Sequence, residues 1–382
     1  MASTKVKTEN IMTLDAAKIT GAALPALNGA ALTNIPGVTK ETSDPLISTN
    51  PSAVGAAWLN TTTGNLYCCI DATAGSNIWL NVGDGVGHIA KPFGGIGGGT
   101  ISGYTTAGYE GGPYTGKIEK FSLSSNGNAT NIGNLTATRH MQPGQSSTTH
   151  GYTTGGVPGS VSGKSNVIDK FSFTIDGNAT DVGDLTTGKH GISGQSSSVH
   201  GYASGGTINT PPATTNVIEK FTFAADANAT DHGDLTVARG DGMNGCSSKT
   251  YGYVIGGGST NIIDKFSFGS NSNATDHGDL VVARNNNAGQ SSTTHGYASG
   301  GSASGNVIYK FTFDSNSNAT TVGNMTTAKN AAAGVSSTVS GYSAGGLPST
   351  NVIDKFSFTS DGDATDVGDL SIAKYGAAGQ QV

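Results

Sequence analysis

Beyond residue 100 the chain alternates apolar and polar positions in short bursts, and the bursts recur. Asn166-Val167-Ile168-Asp169-Lys170-Phe171-Ser172-Phe173 returns in kind at 216–223, 261–268, 306–313 and 351–358. Alternation with a period of two predicts a β-strand with one buried face. Ahead of each such segment stands a Gly-Tyr pair, beginning at Gly103, Gly151, Gly201, Gly252, Gly296 and Gly341. The pair runs through small residues into glycine, as in Gly151-Tyr152-Thr153-Thr154-Gly155-Gly156, which predicts a strand and its terminating turn. A polar turn around Asn178-Ala179-Thr180 leads into Val182-Gly183-Asp184-Leu185-Thr186, a further strand, and the unit closes on a basic residue, Lys189. The small-residue stretch Gly194-Gln195-Ser196-Ser197-Ser198 predicts a strand crowded against its neighbours.

A repeat of roughly 40 to 50 residues signals a propeller or another stacked array. Four short antiparallel strands per unit, with glycine and small residues at one edge, suit a β-propeller blade. One unit alone leaves apolar residues on both sheet faces, so neighbouring units must cover them. Tyr152, Ile168, Phe171, Phe173, Leu185 and their counterparts are expected in those interfaces, each contributing roughly 1.5–3 kcal/mol. The expected fold is therefore all-β, a propeller with a short extended N-terminal attachment segment. Basic residues at Arg139, Lys189, Arg239, Arg284, Lys329 and Lys374 close six units, and Lys91 opens the first. After Lys374 the segment Tyr375 to Val382 matches the opening strand of another unit. Strands at 57–59, 66–70 and 78–82 supply three more, so seven blades are favoured over six. The alternative is a six-bladed ring with a separate N-terminal hairpin. The expected division is 1–53 for attachment and oligomerisation, 54–90 for a hairpin module and closing blade, and 91–382 for six repeats.

Composition supports a folded, turn-rich chain. Of 382 residues 59 are glycine and only 12% are charged, which points to tight turns between short strands and few helices. A net charge of −6 is too small for a disordered chain. It offers no dense basic face, which argues against nucleic acid. No stretch approaches the ~20 apolar residues of a membrane span, and Met1 to Asp15 lacks a signal-peptide core, so synthesis in a cytoplasm is expected. The three cysteines, Cys68, Cys69 and Cys246, are too few and too badly spaced for a disulfide framework or zinc. Adjacent strand residues point to opposite faces, so Cys68 and Cys69 are expected to pack.

The Gly-Tyr-x-x-Gly-Gly unit resembles a Kelch repeat over residues 91–382. It departs from that family where Kelch repeats carry Trp, here Val182, His232, His277, Val322 or Val367. The resemblance implies a Kelch-like β-propeller with lighter aromatic packing. Residues 21–34, Gly-Ala-Ala-Leu-Pro-Ala-Leu-Asn-Gly-Ala-Ala-Leu-Thr-Asn, resemble the Gly-Ala-Leu-Pro-Ala-Leu-x-Gly-x-x-Leu-Thr-Asn stretches of bacteriophage tail-fibre proteins, and 57–83 resembles a hairpin module of phage fibres. Asn-Val-Ile-Asp-Lys-Phe and Asp-Val-Gly-Asp-Leu are similar to segments of marine phage proteins. These resemblances imply a virion structural protein, a tail fibre or spike made in the host cytoplasm. They imply an N-terminus held by other virion proteins, homo-oligomers that are trimeric by analogy, and a propeller facing the host.

Loops after the Gly-Tyr strand differ in length: 109–115, 157–165 and 207–215 are long, while 258–260, 302–305 and 347–350 are short. Tyr109, Pro113, Tyr114, Pro158, Pro211 and Pro212 in the long loops are the candidate binding residues. Tyrosine offers rigid contact area with a hydrogen-bonding tip, suited to a host glycan or protein receptor. The plainer reading is tolerated insertion or a subunit contact. The recurring basic residues form either an anion site or structural pairs with an acidic neighbour such as Asp184. His150, His200 and His295 precede Gly-Tyr and His232 and His277 precede Gly-Asp, so a repeated scaffold separates them and no metal site is expected. The Asn-Ala-Thr triplets read as turns. No nucleophile with a base, no cofactor loop and no Tyr-Cys-His cluster of the kind used by a copper oxidase with Kelch-like blades stands out, so no catalytic residue or cofactor is assigned. Two other roles stay open: a passive capsid or tail decoration protein, and a polysaccharide-degrading fibre using distant carboxylates.

Overall fold

The computed structural model describes residues 38–51, 53–62, 65–81, 88–89, 101–159, 163–208, 213–302 and 305–382. Residues 1–37 of the attachment segment, Lys91, and the candidate residues Pro211 and Pro212 lie outside them. The chain divides into two compact units, Met1–Lys91 and Pro92–Val382.

In the first unit Val38–Glu41 runs parallel to Ala57–Asn60, and Leu66–Asp71, Ile78–Asn81 and His88–Ile89 follow antiparallel in one five-stranded sheet. Tyr67, Cys69 and Trp79 form its core, with the Trp58 ring edge-on to Trp79 at 5.9 Å. Asn77 is buried and ties in the preceding loop, its amide donating to the Ile47 carbonyl at 2.8 Å and to Asn50 Oδ1 at 3.0 Å. Cys68 and Cys69 are free thiols, and Cys69 is packed inside the sheet.

Among the described residues the second unit holds six four-stranded antiparallel sheets, each resembling a propeller blade. One consists of Gly144–Ser146, His150–Thr154, Val167–Ser172 and Thr180–Asp184, in that order. The first strands of the next four are Ser193–Ser196, Asn244–Ser247, Ala288–Ser291 and Ala333–Ser336. The register explains the Gly-Tyr pair. Gly151 faces Phe171 across the ladder, and a Cβ there would stand 2.3 Å from the Phe171 ring. The ring thus lies flat over the backbone, and only glycine admits it.

Each sheet covers the next. Tyr152, Ile168 and Leu185 pack with Phe221 and Ala229 of the following sheet, and the Tyr152 ring stacks on Phe223 at 4.8 Å. Tyr104 on Phe173, Tyr202 on Phe268, Tyr253 on Phe313 and Tyr297 on Phe358 repeat that stack. Phe171 and Phe173 are buried, while the Phe173 counterparts Phe223, Phe268 and Phe358 are half-buried. At the position where Kelch repeats carry Trp, half-buried Val182 and Val322 lean on these clusters. His232 and His277 place Nε2 2.9 Å from the carbonyls of Ser267 and Thr312 in the following sheet.

The C-terminal segment corrects one expectation. Ala378–Gln381 pairs antiparallel with Ser102–Tyr109 and completes a sheet with Tyr114–Ser122 and Thr130–Asn134. The strands at 57–81, proposed as its partners, are hydrogen-bonded among themselves and to Val38–Glu41. The physical reason is that the Ser102–Tyr109 strand itself lacks a first strand on its Gly-Tyr edge, and the tail repeats the first-strand pattern in register, Gln380 opposite Tyr104 as Gln145 is opposite Tyr152.

Candidate functional site

After its fourth strand each unit turns inward on its basic residue, and all six of these cations are buried in the second unit. Five meet a carboxylate on the third strand of the following sheet: Arg139 with Asp169, Lys189 with Glu219 at 2.6 Å, Arg239 with Asp264 at 3.0 Å, Lys329 with Asp354 at 3.0 Å and Lys374 with Glu119 at 2.6 Å. The same acid takes a hydrogen bond from the segment entering that sheet, from Thr136, Thr186, Thr236 and Thr326 hydroxyls and from the Ser371 amide. Burial alone raises the Glu119 pKa, but the adjoining Lys374 ammonium and Ser371 hold it below the usual glutamate range. The Asp184 partnership expected for Lys189 is corrected: Asp184 instead accepts nothing from it and its amide donates to Asn228 Oδ1 at 3.0 Å. Arg284 is the exception. Where the other sheets have an acid it meets Tyr309, with the hydroxyl 2.7 Å away and the ring 4.7 Å beneath the guanidinium.

The residue after each cation reaches the loop behind the Gly-Tyr strand. His140 pairs with Val157, His190 with Thr207 and Asn330 with Leu347, Tyr375 bridges Tyr109, and Gly240 and Asn285 accept from the amides of Gly258 and Ser302 at 2.9 Å. One residue further on, Met141, Gly191, Asp241, Asn286, Ala331 and Gly376 all have φ between 53° and 64°. Left-handed backbone costs a non-glycine residue roughly 1–2 kcal/mol, and four of the six are not glycine. Such strain persists where the surroundings over-determine it. Here backbone bonds link the series: Met141 donates to Gly376 at 2.9 Å, Gly191 to Met141 at 3.0 Å, Ala331 to Asn286 at 2.7 Å and Gly376 to Ala331 at 2.7 Å. All of these but Asp241 line a polar cavity of about 120 Å³, which is lined deeper by glycines and serines of the first strands. That volume is below the ~300 Å³ of a small-molecule pocket.

On the rim four rings gather. Tyr109 lies 5.3 Å from Tyr114 and 5.2 Å from Tyr375, and Tyr114 stacks on His140 at 4.6 Å. All four are half-buried. The backbone places them: Tyr109 and Tyr114 face each other across a hairpin whose tip is Gly111, Gly112 and exposed Pro113. Tyr375 is brought in by its bridge to Tyr109, and His140 by its ladder to Val157. Pro158 sits in register with Arg139, and the Gly159 beside it lies against the Tyr114 ring. Burial lowers the His140 pKa, and so does nearby His190. Of the candidates, then, Tyr109 and Tyr114 are in contact, Pro113 is at their hairpin tip and Pro158 is adjacent. His140 and Tyr375 were not among the sequence candidates. Their signal was the slot after each basic residue, one position per unit.

No protein-family model matches this chain, and no curated protein does.

Proposed function

We propose that the second unit is a closed, six-bladed, Kelch-like propeller and that the chain is a receptor-binding tail fibre or spike of a bacteriophage virion. Closure is supported by a cycle among the first strands. A Cβ on Gly144 would meet the carbonyl of Gly379, on Gly379 that of Gly334, on Gly334 that of Gly289, on Gly289 that of Gly245, on Gly245 that of Gly194 and on Gly194 that of Gly144. Six steps return to the start. One residue pair deeper, the Gln381 amide donates to Ser146 Oγ at 3.1 Å, as Ser146 does to Ser196 and Ser196 to Ser247, both at 3.0 Å. The first-unit strands are then a separate module.

The observation that carries the binding role is the aromatic group of Tyr109, Tyr114, Tyr375 and His140, gathered on one side of an otherwise repetitive rim. That group stands at the Tyr109 end of the eight-residue Ser102–Tyr109 strand. At ~3.3 Å per residue the strand separates its Ser102 end from the group by roughly 26 Å. Rings gathered at one end of the sheets suit presentation to a host surface. Residues 1–53 are proposed to join other virion proteins, with the head oligomerised through them. The buried carboxylates Asp169, Glu219, Asp264, Asp354 and Glu119 already hold cations or amides, so the reading is of a binder rather than a hydrolase. The test is adsorption of the labelled full chain to a panel of bacterial strains. A strain bound by the native chain is expected to lose most binding to the Tyr109→Ala/Tyr114→Ala variant and to keep it for Tyr251→Ala, which alters the opposite end. Equal adsorption by all three refutes the reading.

A further inference from the structure

The rim is divided into two chemically different halves. Tyr375 with Tyr109, His140 with Val157, and His190 with Thr207 put rings on one half. Gly240 with Gly258, Asn285 with Ser302, and Asn330 with Leu347 put amides and hydroxyls on the other. In that second half the side-chain amides of Asn244, Asn286 and Asn330 make no hydrogen bond to any described residue, and Asn244 and Asn286 border the cavity. Unused amides at a constriction, each able to donate and accept, face rings able to stack. Formal charge on this surface is sparse, and where it is exposed, at Asp241 3.9 Å from His190, it is negative. Burial keeps His140 and His190 with lowered pKa values, Glu110 has Lys117 at 3.6 Å, and Lys164 donates to the Ile208 carbonyl at 2.8 Å.

We infer that the rim binds an uncharged oligosaccharide laid across the mouth, one sugar ring against Tyr109 and Tyr375 and its neighbours' hydroxyls on Asn286 and Asn330. The inference rests on the recognition role proposed above and narrows its ligand. A sugar presents an apolar C–H face and a belt of hydroxyls, which matches the two halves. An anionic glycan would find no cluster of free cations and would meet the exposed Asp241 carboxylate.

The experiment titrates the full chain with immobilised oligomers of neutral hexoses, alongside sulfated and sialylated oligosaccharides, at low and high salt. The variants are Asn286→Gly and Asn330→Gly, which install the residue that stands at Gly191 or Gly376 and at Gly240 in sister units, and Tyr109→Ala. Neutral oligomers are expected to bind independently of salt, roughly fivefold more weakly for each amide removed at unchanged melting temperature, and roughly tenfold more weakly without the Tyr109 ring. Binding confined to the charged oligosaccharides, or neutral binding unaffected by these variants, overturns the inference. Cell adsorption that needs Tyr109 and Tyr114 while no neutral oligomer binds overturns this inference alone. Loss of both arms removes the recognition role beneath it.

Discussion

A single methyl group placed at Gly289 tests the cycle of first strands directly. The new Cβ would lie 2.3 Å from the Gly245 carbonyl oxygen, about 1 Å inside ordinary contact. The strand has no room to retreat, because its own carbonyl is 2.2 Å from the corresponding Cβ site on Gly334. Relief therefore requires two neighbouring first strands to part. Overpacking of this kind costs about 1–3 kcal/mol. Parting also stretches the Ser247 amide to Ser291 Oγ bond of 3.0 Å and the Cys246 thiol to Gln290 carbonyl bond of 3.1 Å. Each buried bond contributes about 1 kcal/mol net, which brings the expected loss to about 3–5 kcal/mol. For a cooperative unit of this size that lowers Tm by roughly 6–10 °C. The assay is thermal unfolding followed by two probes, with Gly362→Ala as reference, since a Cβ there meets nothing within 4 Å. Gly379→Ala is the decisive companion. If the tail strand closes a ring, Gly379 is equivalent to Gly289 and its loss is equal. A Gly289→Ala melt matching that of Gly362→Ala refutes the crowding argument, and a harmless Gly379→Ala refutes closure.

Two further outcomes follow from the buried charges. The described histidines His140, His150, His190, His200, His232, His277 and His295 all have pKa values below the ordinary 6.5, burial being the first cause in each. Below pH 6.5 the unfolded chain therefore binds more protons than the folded one, and stability falls with pH down to the folded-state values. Glu119, also depressed, adds to the loss at lower pH, as the unfolded chain protonates first. Tm is expected to drop steadily from pH 7 to pH 5, with a shallower slope in His232→Val/His277→Val, the residue found at 182, 322 and 367; a flat profile contradicts the burial. Asp264→Ala strands the Arg239 guanidinium, 1% exposed, and is expected to cost about 3–5 kcal/mol. Asp264→Tyr with Thr236→Val copies the Arg284 arrangement and is expected to recover most of that in denaturant midpoint; equal loss in both variants contradicts the partnership read at Tyr309.

The strands and their buried faces were legible because a strand with one apolar face must place an apolar residue at every second position, and a glycine where a ring crosses the backbone. Phe171 over Gly151 is that rule in one pair. What escaped was pairing at a distance. A left-over first strand at 378–381 says that three strands await it, and both 57–81 and 102–134 offered three; hydrogen-bond register chose the latter. Likewise Lys189 has Asp184 close by in sequence, yet its partner Glu219 is thirty residues on, because the chain must cross into the next sheet before an inward-facing acid recurs. The rim was half legible. Unequal loops pointed to Tyr109 and Tyr114, but Tyr375 joins them only through the bridge that the tail makes after crossing the whole unit.

Departures from the repeat fall into two kinds, and the difference locates function. Between the fourth and fifth sheets the acid becomes Tyr309 and the hydroxyl that would bind it becomes Val281, two changes that answer one another: without the carboxylate a threonine hydroxyl there has no acceptor, and the phenol holds Arg284 by its oxygen and its face. Such paired change preserves the scaffold. Tyr109, Tyr114, His140 and Tyr375 answer no vacancy of that sort, since Gly240 with Gly258 and Asn285 with Ser302 close the same rim contacts using backbone bonds alone. Rings that the scaffold does not require, held half-exposed by a backbone that it does, are therefore where we place the proposed contact with a partner.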